Sequence, residues 1–168
     1  EYMEIRSKNS DFLRLCFNPE LASEISLQPI KRFDLDFIIL FSDILVIPHA
    51  LGQNVHFLKN HGPSLNCINS KKDINYLNFS ECLCKISNVF ETLEILHSKK
   101  GTRNLIGFCG GPFTVLNYMI EGGTSKTHSK IKGFVKNKKK EALDLMKIIT
   151  ELSIEYLKKQ IESGANYI

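Results

Sequence analysis

Hydrophobic and polar positions in this chain fall into blocks whose period switches several times. Phe37 to Phe41 is a run of five apolar residues, too short for a typical helix and rich in β-branched and aromatic types. It predicts a strand buried on both faces. Leu105 to Cys109 predicts a second short strand, closed by Gly110-Gly111-Pro112, and Ala165 to Ile168 the start of a third. Helical periodicity fills the intervals. Ser80 precedes Leu83, Ile86, Val89, Phe90, Leu93 and Leu96, an amphipathic helix that Gly101 can terminate. A shorter helix follows Pro112, runs through Tyr118 and stops at Gly122-Gly123. Ala142, Leu145, Met146, Ile149, Leu152, Tyr156 and Ile161 form a stripe at the 3.6-residue period, ended by Gly164.

The ends of the pattern are weaker. Residues 1 to 8 are polar and predicted extended. Ser10 is the predicted cap of a short helix carrying Phe12, Leu13 and Cys16, and Asn18-Pro19 is a helix-entry signal. Pro29 predicts a kink or a second helical start before the first strand. Val55 and Phe57 suggest a strand and Gly62-Pro63 a turn, followed by a polar stretch without periodicity to Asn78. Strand alternating with helix is the signature of parallel α/β folds. A closed eight-unit barrel needs roughly 200 to 250 residues, and about three strand-helix units fit here. The expectation is therefore one domain over residues 1–168 that forms part of a larger protein.

Composition narrows the class without naming a function. Of 168 residues, 43% are hydrophobic and 24% charged, ordinary for a globular domain with a real core. The formal net charge of +4 mildly favours an anionic ligand, and no basic-aromatic motif argues for nucleic acid. Cys16, Cys67, Cys82, Cys84 and Cys109 are odd in number and irregular in spacing, which fits a reducing compartment. The chain opens on charge with no apolar leader, and no apolar run approaches membrane-spanning length. These features set the expectation of a cytoplasmic protein. Cys82 and Cys84 do not share a helix face, and the histidines at 49, 56, 61, 97 and 128 show no ligand spacing, so no metal site is expected.

The candidate chemistry gathers where the first strand breaks. Ser42-Asp43 interrupts an apolar segment, and a carboxylate placed there costs free energy unless something pairs with it. The carboxyl ends of parallel strands are where such folds bind ligands. Ser and Asp also cap helices and form turns, and Pro48 shows the chain soon changing direction. Pattern alone favours that structural role. The glycine pairs form neither a dinucleotide fingerprint nor a phosphate loop.

The surrounding letters shift the balance. FSDILVIPHALG, residues 41–52, resembles a signature of the uroporphyrinogen decarboxylase family. NPELASEISLQPIKRFDLD (18–36), LIGFCGGPFTVLNYMIEGGTSK (105–126) and IEYLKKQIESGAN (154–166) are similar to further segments of that family, in the same order. The resemblance implies a (β/α)₈ TIM barrel, of which this chain supplies about the first three strand-helix units. It implies a homodimeric enzyme of haem biosynthesis, working without cofactor or metal. Its reaction would be the decarboxylation of the four acetate side chains of uroporphyrinogen III to give coproporphyrinogen III.

By the same resemblance, Asp43 hydrogen-bonds the pyrrole N–H groups and stabilises a cationic intermediate. Tyr118 hydrogen-bonds in the same cleft, and Arg6 contacts substrate. On pattern alone Tyr118 reads as core and Arg6 as a solvated terminal residue. The chain departs from the family pattern at Gly111, Phe113, His49 and Thr124. The family's opening arginine motif is expected to end near Glu1, and its later Ser/Thr and C-terminal histidine to lie beyond Ile168. Two other readings stay open: a corrinoid-dependent methyltransferase of the same superfamily, and a non-catalytic barrel fragment acting as a binding module.

Overall fold

A computed structural model describes residues 1–58 and 62–168. Three helices precede the first strand: α1 (Tyr2–Lys8), α2 (Phe12–Cys16) and α3 (Pro19–Arg32). The first segment is helical rather than extended. Glu4 lies in its first turn and Arg6 and Lys8 in its last, the charge order a helix dipole favours. Asp11, not Ser10, caps α2, its carboxylate accepting from Arg14 N–H at 3.1 Å. Asn18 caps α3 as the Asn-Pro pair predicts, accepting from Leu21 N–H at 3.0 Å, and the helix runs through Pro29 to Arg32.

Strand β1 (Phe37–Ile39), helix α4 (Val46–Ala50) and the hairpin β2 (Val55–Leu58) and β3 (Gly62–Leu65) follow, then α5 (Lys71–Asn75). Gly62-Pro63, expected as a turn, instead opens β3. The helix expected from Ser80 to Leu96 is two, α6 (Cys82–Lys85) and α7 (Ser87–Lys99), separated at Ile86, whose φ of −118 and ψ of 21 are not helical. The remainder is β4 (Asn104–Ile106), α8 (Pro112–Glu121), α9 (Ser129–Asn137) and α10 (Lys139–Glu162).

The chain divides into two compact units. The first comprises Glu1–Asp43, Leu83–Cys109 and Glu155–Ile168. Here β1 and β4 pair in parallel, Ile38 opposite Leu105, and Leu40 N–H extends the ladder to Ile106 O at 3.0 Å. Tyr167 bridges Ile106 in parallel, so the third strand expected from Ala165 begins there. Ala22 and Ile25 of α3 and Val89, Leu93 and Leu96 of α7 are buried, as are Ile38 and Leu105. The expectation of a doubly buried strand is corrected. Strand side chains alternate between faces, and while Ile38 is covered, Phe37 and Ile39 are 42% and 60% exposed. Ile161, assigned to the apolar stripe of α10, is also exposed.

The second unit comprises Ile44–Cys82 and Gly110–Ile154. β2 and β3 pair antiparallel, Val55 opposite Leu65. The glycine pair after α8 docks on this hairpin, with Leu65 N–H donating to Gly122 O at 2.9 Å and Ser64 bridging Gly123. Gly122 has φ +81, and a Cβ there would stand 2.4 Å from Cys67 Sγ and 2.9 Å from Leu65 O. Only glycine fits that turn and that approach. Ile47, Val115, Leu116, Met119, Ile131 and Leu145 form much of the buried interior. Among the described residues no helix is long and apolar enough to cross a membrane.

Candidate functional site

In the first unit, a cluster forms at the carboxyl end of β1. The chain leaves the β1–β4 ladder at Leu40, and Phe41 N–H then donates to Ser26 Oγ at 2.8 Å. Ser26 is buried, and its own hydroxyl donates to Ala22 O at 2.9 Å within α3. A buried serine on a helix thus fixes the backbone immediately before Ser42-Asp43. The ring of Phe41 meets those of Tyr2 and Phe12 at centroid distances of 5.9 and 5.8 Å. The Arg6 guanidinium lies over the Phe12 ring at 5.6 Å and donates to Asn9 O, so packing and hydrogen bonding hold it near α2.

The electrostatics show which groups share this environment. Burial pushes the Cys16 thiol up to about 12; Asp43 adds to the rise, Arg6 opposes it and Asp11 adds a smaller part. Burial likewise pushes the Tyr156 phenol well above its usual range; the Ser42 hydroxyl opposes this, and Cys109, Cys16 and Asp43 reinforce it. Ser42 Oγ is buried and makes no hydrogen bond of ordinary geometry among the described residues. The structure therefore brings two of the sequence-predicted residues, Asp43 and Arg6, into one neighbourhood. It adds Cys16, Tyr156 and the buried Ser42 hydroxyl, which acts on the Tyr156 phenol. Tyr156 was legible only as one position of an apolar stripe, and Cys16 as a core residue of a short helix; no motif marks either.

The third predicted residue lies in the second unit. Tyr118 on α8 is half-buried and lines a cleft of 780 Å³ together with Phe113, Asn117, His128, Lys132 and Val135. Its volume is within the range of small-molecule sites. Among the described residues, no group of three or more His, Cys, Asp or Glu is placed to hold a metal ion. His61 lies outside the described residues.

Comparison with known proteins bears on what such a chain is. The family model described as uroporphyrinogen decarboxylase (URO-D) matches residues 1–168, the whole chain. The chain belongs to the uroporphyrinogen decarboxylase family. Among its relatives, the uroporphyrinogen decarboxylase of Neorickettsia sennetsu is 46% identical over 169 aligned residues, covering 100% of this chain and 51% of that protein. That of Rickettsia bellii is 44% identical, covering 100% of this chain and 49% of the relative. The chain thus spans about half the length of the curated relatives it matches. Among solved structures, a methyltransferase from Methanosarcina mazei superposes with a TM-score of 0.76 at 23% identity, covering 96% of this chain and 48% of that one. That likeness carries the fold: the architecture is of the TIM-barrel type expected from the alternation of elements, and the chain holds part of the barrel.

Proposed function

We propose that the protein carrying this chain is a uroporphyrinogen decarboxylase, a carboxy-lyase that converts the four acetate side chains of uroporphyrinogen III to methyl groups and yields coproporphyrinogen III. The observation that carries this reading is the family match over all 168 residues, with relatives of that name 46% and 44% identical across the whole chain. The reading includes one barrel domain to which residues 1–168 contribute, a homodimeric assembly, a cytoplasmic location and no cofactor or metal.

The chemistry sets the roles. A pyrrole acetate loses carbon dioxide only when the electron pair of the breaking C–C bond has somewhere to go. Protonation of the ring carbon beside the acetate creates a cationic, iminium-like sink; the carboxylate leaves as carbon dioxide, and the remaining methylene is protonated. The protein must stabilise positive charge on the ring, and a fixed carboxylate in a water-poor site does so. Asp43 takes that role, accepting from the pyrrole N–H groups. The support for it is its position at the carboxyl end of β1, on a backbone fixed by Ser26. Arg6, held over Phe12 in the same neighbourhood, offers a guanidinium fork to a substrate carboxylate. Tyr118 contributes a hydroxyl from the cleft of the second unit.

The test is product analysis by chromatography under anaerobic conditions, with and without a chelator, on the protein at the length of its relatives. Stepwise conversion of uroporphyrinogen III to coproporphyrinogen III, indifferent to chelation, is expected. Activity that disappears when metal is stripped would overturn the reading in favour of the methyltransferase class.

A further inference from the structure

The cleft of the second unit carries a charge pattern that Tyr118 does not explain. His128 caps α9, Lys132 and Lys136 lie four residues apart on one face of that helix, and all three line the cleft. Among the described residues no Asp or Glu lines it. Lys132 Nζ donates to Thr127 O at 3.0 Å, which occupies one of its three hydrogens. Lys136 makes no hydrogen bond or ion pair among the described residues, and His128 Nδ1 lies 3.1 Å from Asn117 Oδ1. Phe113, Tyr118, Ile131 and Val135 supply the apolar part of the lining. Apolar walls beside two ammonium groups, with no acid to neutralise them, suit a ligand with a flat apolar body and carboxylate arms.

We propose that Lys132 and Lys136, with His128, hold carboxylates of the substrate that do not react, namely propionates that persist unchanged in the product. The inference rests on the decarboxylase reading and deepens it. A reacting carboxylate must surrender its charge to the ring and leave as neutral carbon dioxide. An ammonium group beside it stabilises the ground-state anion more than the transition state and slows the step. The same ammonium beside a spectator carboxylate binds substrate and transition state equally, which lowers KM and leaves kcat alone. A lysine-rimmed cleft therefore belongs to groups that stay, and it takes product as readily as substrate.

The experiment compares the parent protein, at the length of its relatives, with Lys132→Ala/Lys136→Ala. A double Lys→Arg variant keeps the charge, and Lys139→Ala/Lys140→Ala serves as a control outside the cleft lining. Three quantities are measured: kcat and KM for uroporphyrinogen III, the inhibition constant of coproporphyrinogen III, and the affinity for coproporphyrin by fluorescence quenching. The proposal expects KM, the inhibition constant and the coproporphyrin Kd all to rise by about tenfold or more in the alanine pair, which removes both solvent-screened lysine contacts. Turnover should stay within about twofold, the arginine pair should restore binding, and the control should be silent. An active parent whose alanine pair keeps its KM overturns the inference and leaves the decarboxylase reading standing. A fall in kcat at constant KM overturns it too, because the lysines would then act on the reacting group. Displacement of coproporphyrin by an equal concentration of inorganic phosphate would mark a general anion site, with the same consequence. If the parent does not decarboxylate at all, coproporphyrin binding decides alone: lysine-dependent binding supports the cleft, lysine-independent binding or none overturns it.

Discussion

Asp43 and Cys16 share a neighbourhood, yet the physics asks opposite things of them. In the proposed mechanism the Asp43 carboxylate must stay charged to balance a cationic ring, and the Ser26 hydroxyl and the β1–β4 ladder fix the backbone that leads to it. Asp43→Asn keeps the shape, removes the charge and presents an amide donor to pyrrole donors. Turnover should fall by roughly 10²–10³, the usual cost of one preorganised electrostatic partner, with a thermal midpoint near that of the parent. Near-normal turnover would remove Asp43 from the mechanism, and a collapsed midpoint would return it to the role of a cap or turn. Cys16, by contrast, is kept neutral. Its thiol is raised from an ordinary 9.0 to about 12, chiefly by burial. The folded state therefore holds this proton more tightly than the unfolded state does. The associated stability is complete below about pH 9 and is lost as pH climbs through about 12. Cys16→Ala should flatten the alkaline fall in unfolding free energy, and iodoacetamide at pH 8 should label exposed Cys84 in the native protein while Cys16 reacts only in denaturant. Equal labelling of the two in the native state would contradict the burial argument.

At the scale of elements, one side chain brackets the peptide just beyond the carboxyl end of β4. Gln160 on α10 is fully buried, and its amide pairs with Phe108 as a neighbouring strand would: Phe108 N–H donates to Gln160 Oε1 at 2.9 Å, and Gln160 Nε2 donates to Phe108 O at 2.9 Å. Gly107 makes room for this, since a Cβ there would stand 2.2 Å from Gln160 Oε1. Gln160→Leu strips both partners from a part-buried peptide group and should destabilise by about 2–4 kcal/mol in urea unfolding, two hydrogen bonds with their desolvation cost. Gly107→Ala should do similar damage by displacing the same amide. The two together should fall well short of additive, because each breaks one bracket; full additivity would show that they act separately. Nothing in the letters announces this pairing. Period and caps made α3, α8, α10 and the parallel pair readable, because each is decided within a few residues of sequence. Gln160 in a lysine-rich segment reads as a surface residue until the fold turns it onto Phe108, 52 positions away. The break at Ile86 and the helix at residues 2–8 were hidden for a related reason: short helices owe more to tertiary packing than to propensity. Asp43, Tyr118 and Arg6 are candidates because of the motifs around them, whereas Cys16 and Tyr156, which feel the Asp43 charge, come from distant segments that no motif links to it.

At the scale of the whole molecule, the first unit leaves much apolar surface in contact with water. Phe33, Phe37, Ile39, Tyr167 and Ile168 are all exposed, and Phe37 packs its ring edge-on to Tyr167 at 5.6 Å, so part of this surface is contiguous. The parallel pair β1–β4 gains only a single bridge at Tyr167, and the outer edge of β1 has no partner among the described residues. Unpaired strand edges beside apolar side chains recruit other chains, and a net charge of +4 offers little repulsion to prevent it. Relatives of this chain are about twice its length, and in the proposed barrel further strands would pair that edge. Residues 1–168 produced alone should therefore self-associate, bind a hydrophobic dye and show no decarboxylation, whereas the protein at the length of its relatives should do the reverse. Light scattering across a concentration series, dye fluorescence and anaerobic turnover together make the comparison. Adding Lys at Ile39, on the exposed face of β1, should reduce association of the short chain, since an inward or edge-adjacent charge is how sheet edges are kept apart. The same Ile39→Lys change should harm the longer protein if that face is packed there. A short chain that stays monomeric, melts in one cooperative transition and ignores the Ile39→Lys change would show that the exposed face needs no cover and would defeat the barrel argument at this scale.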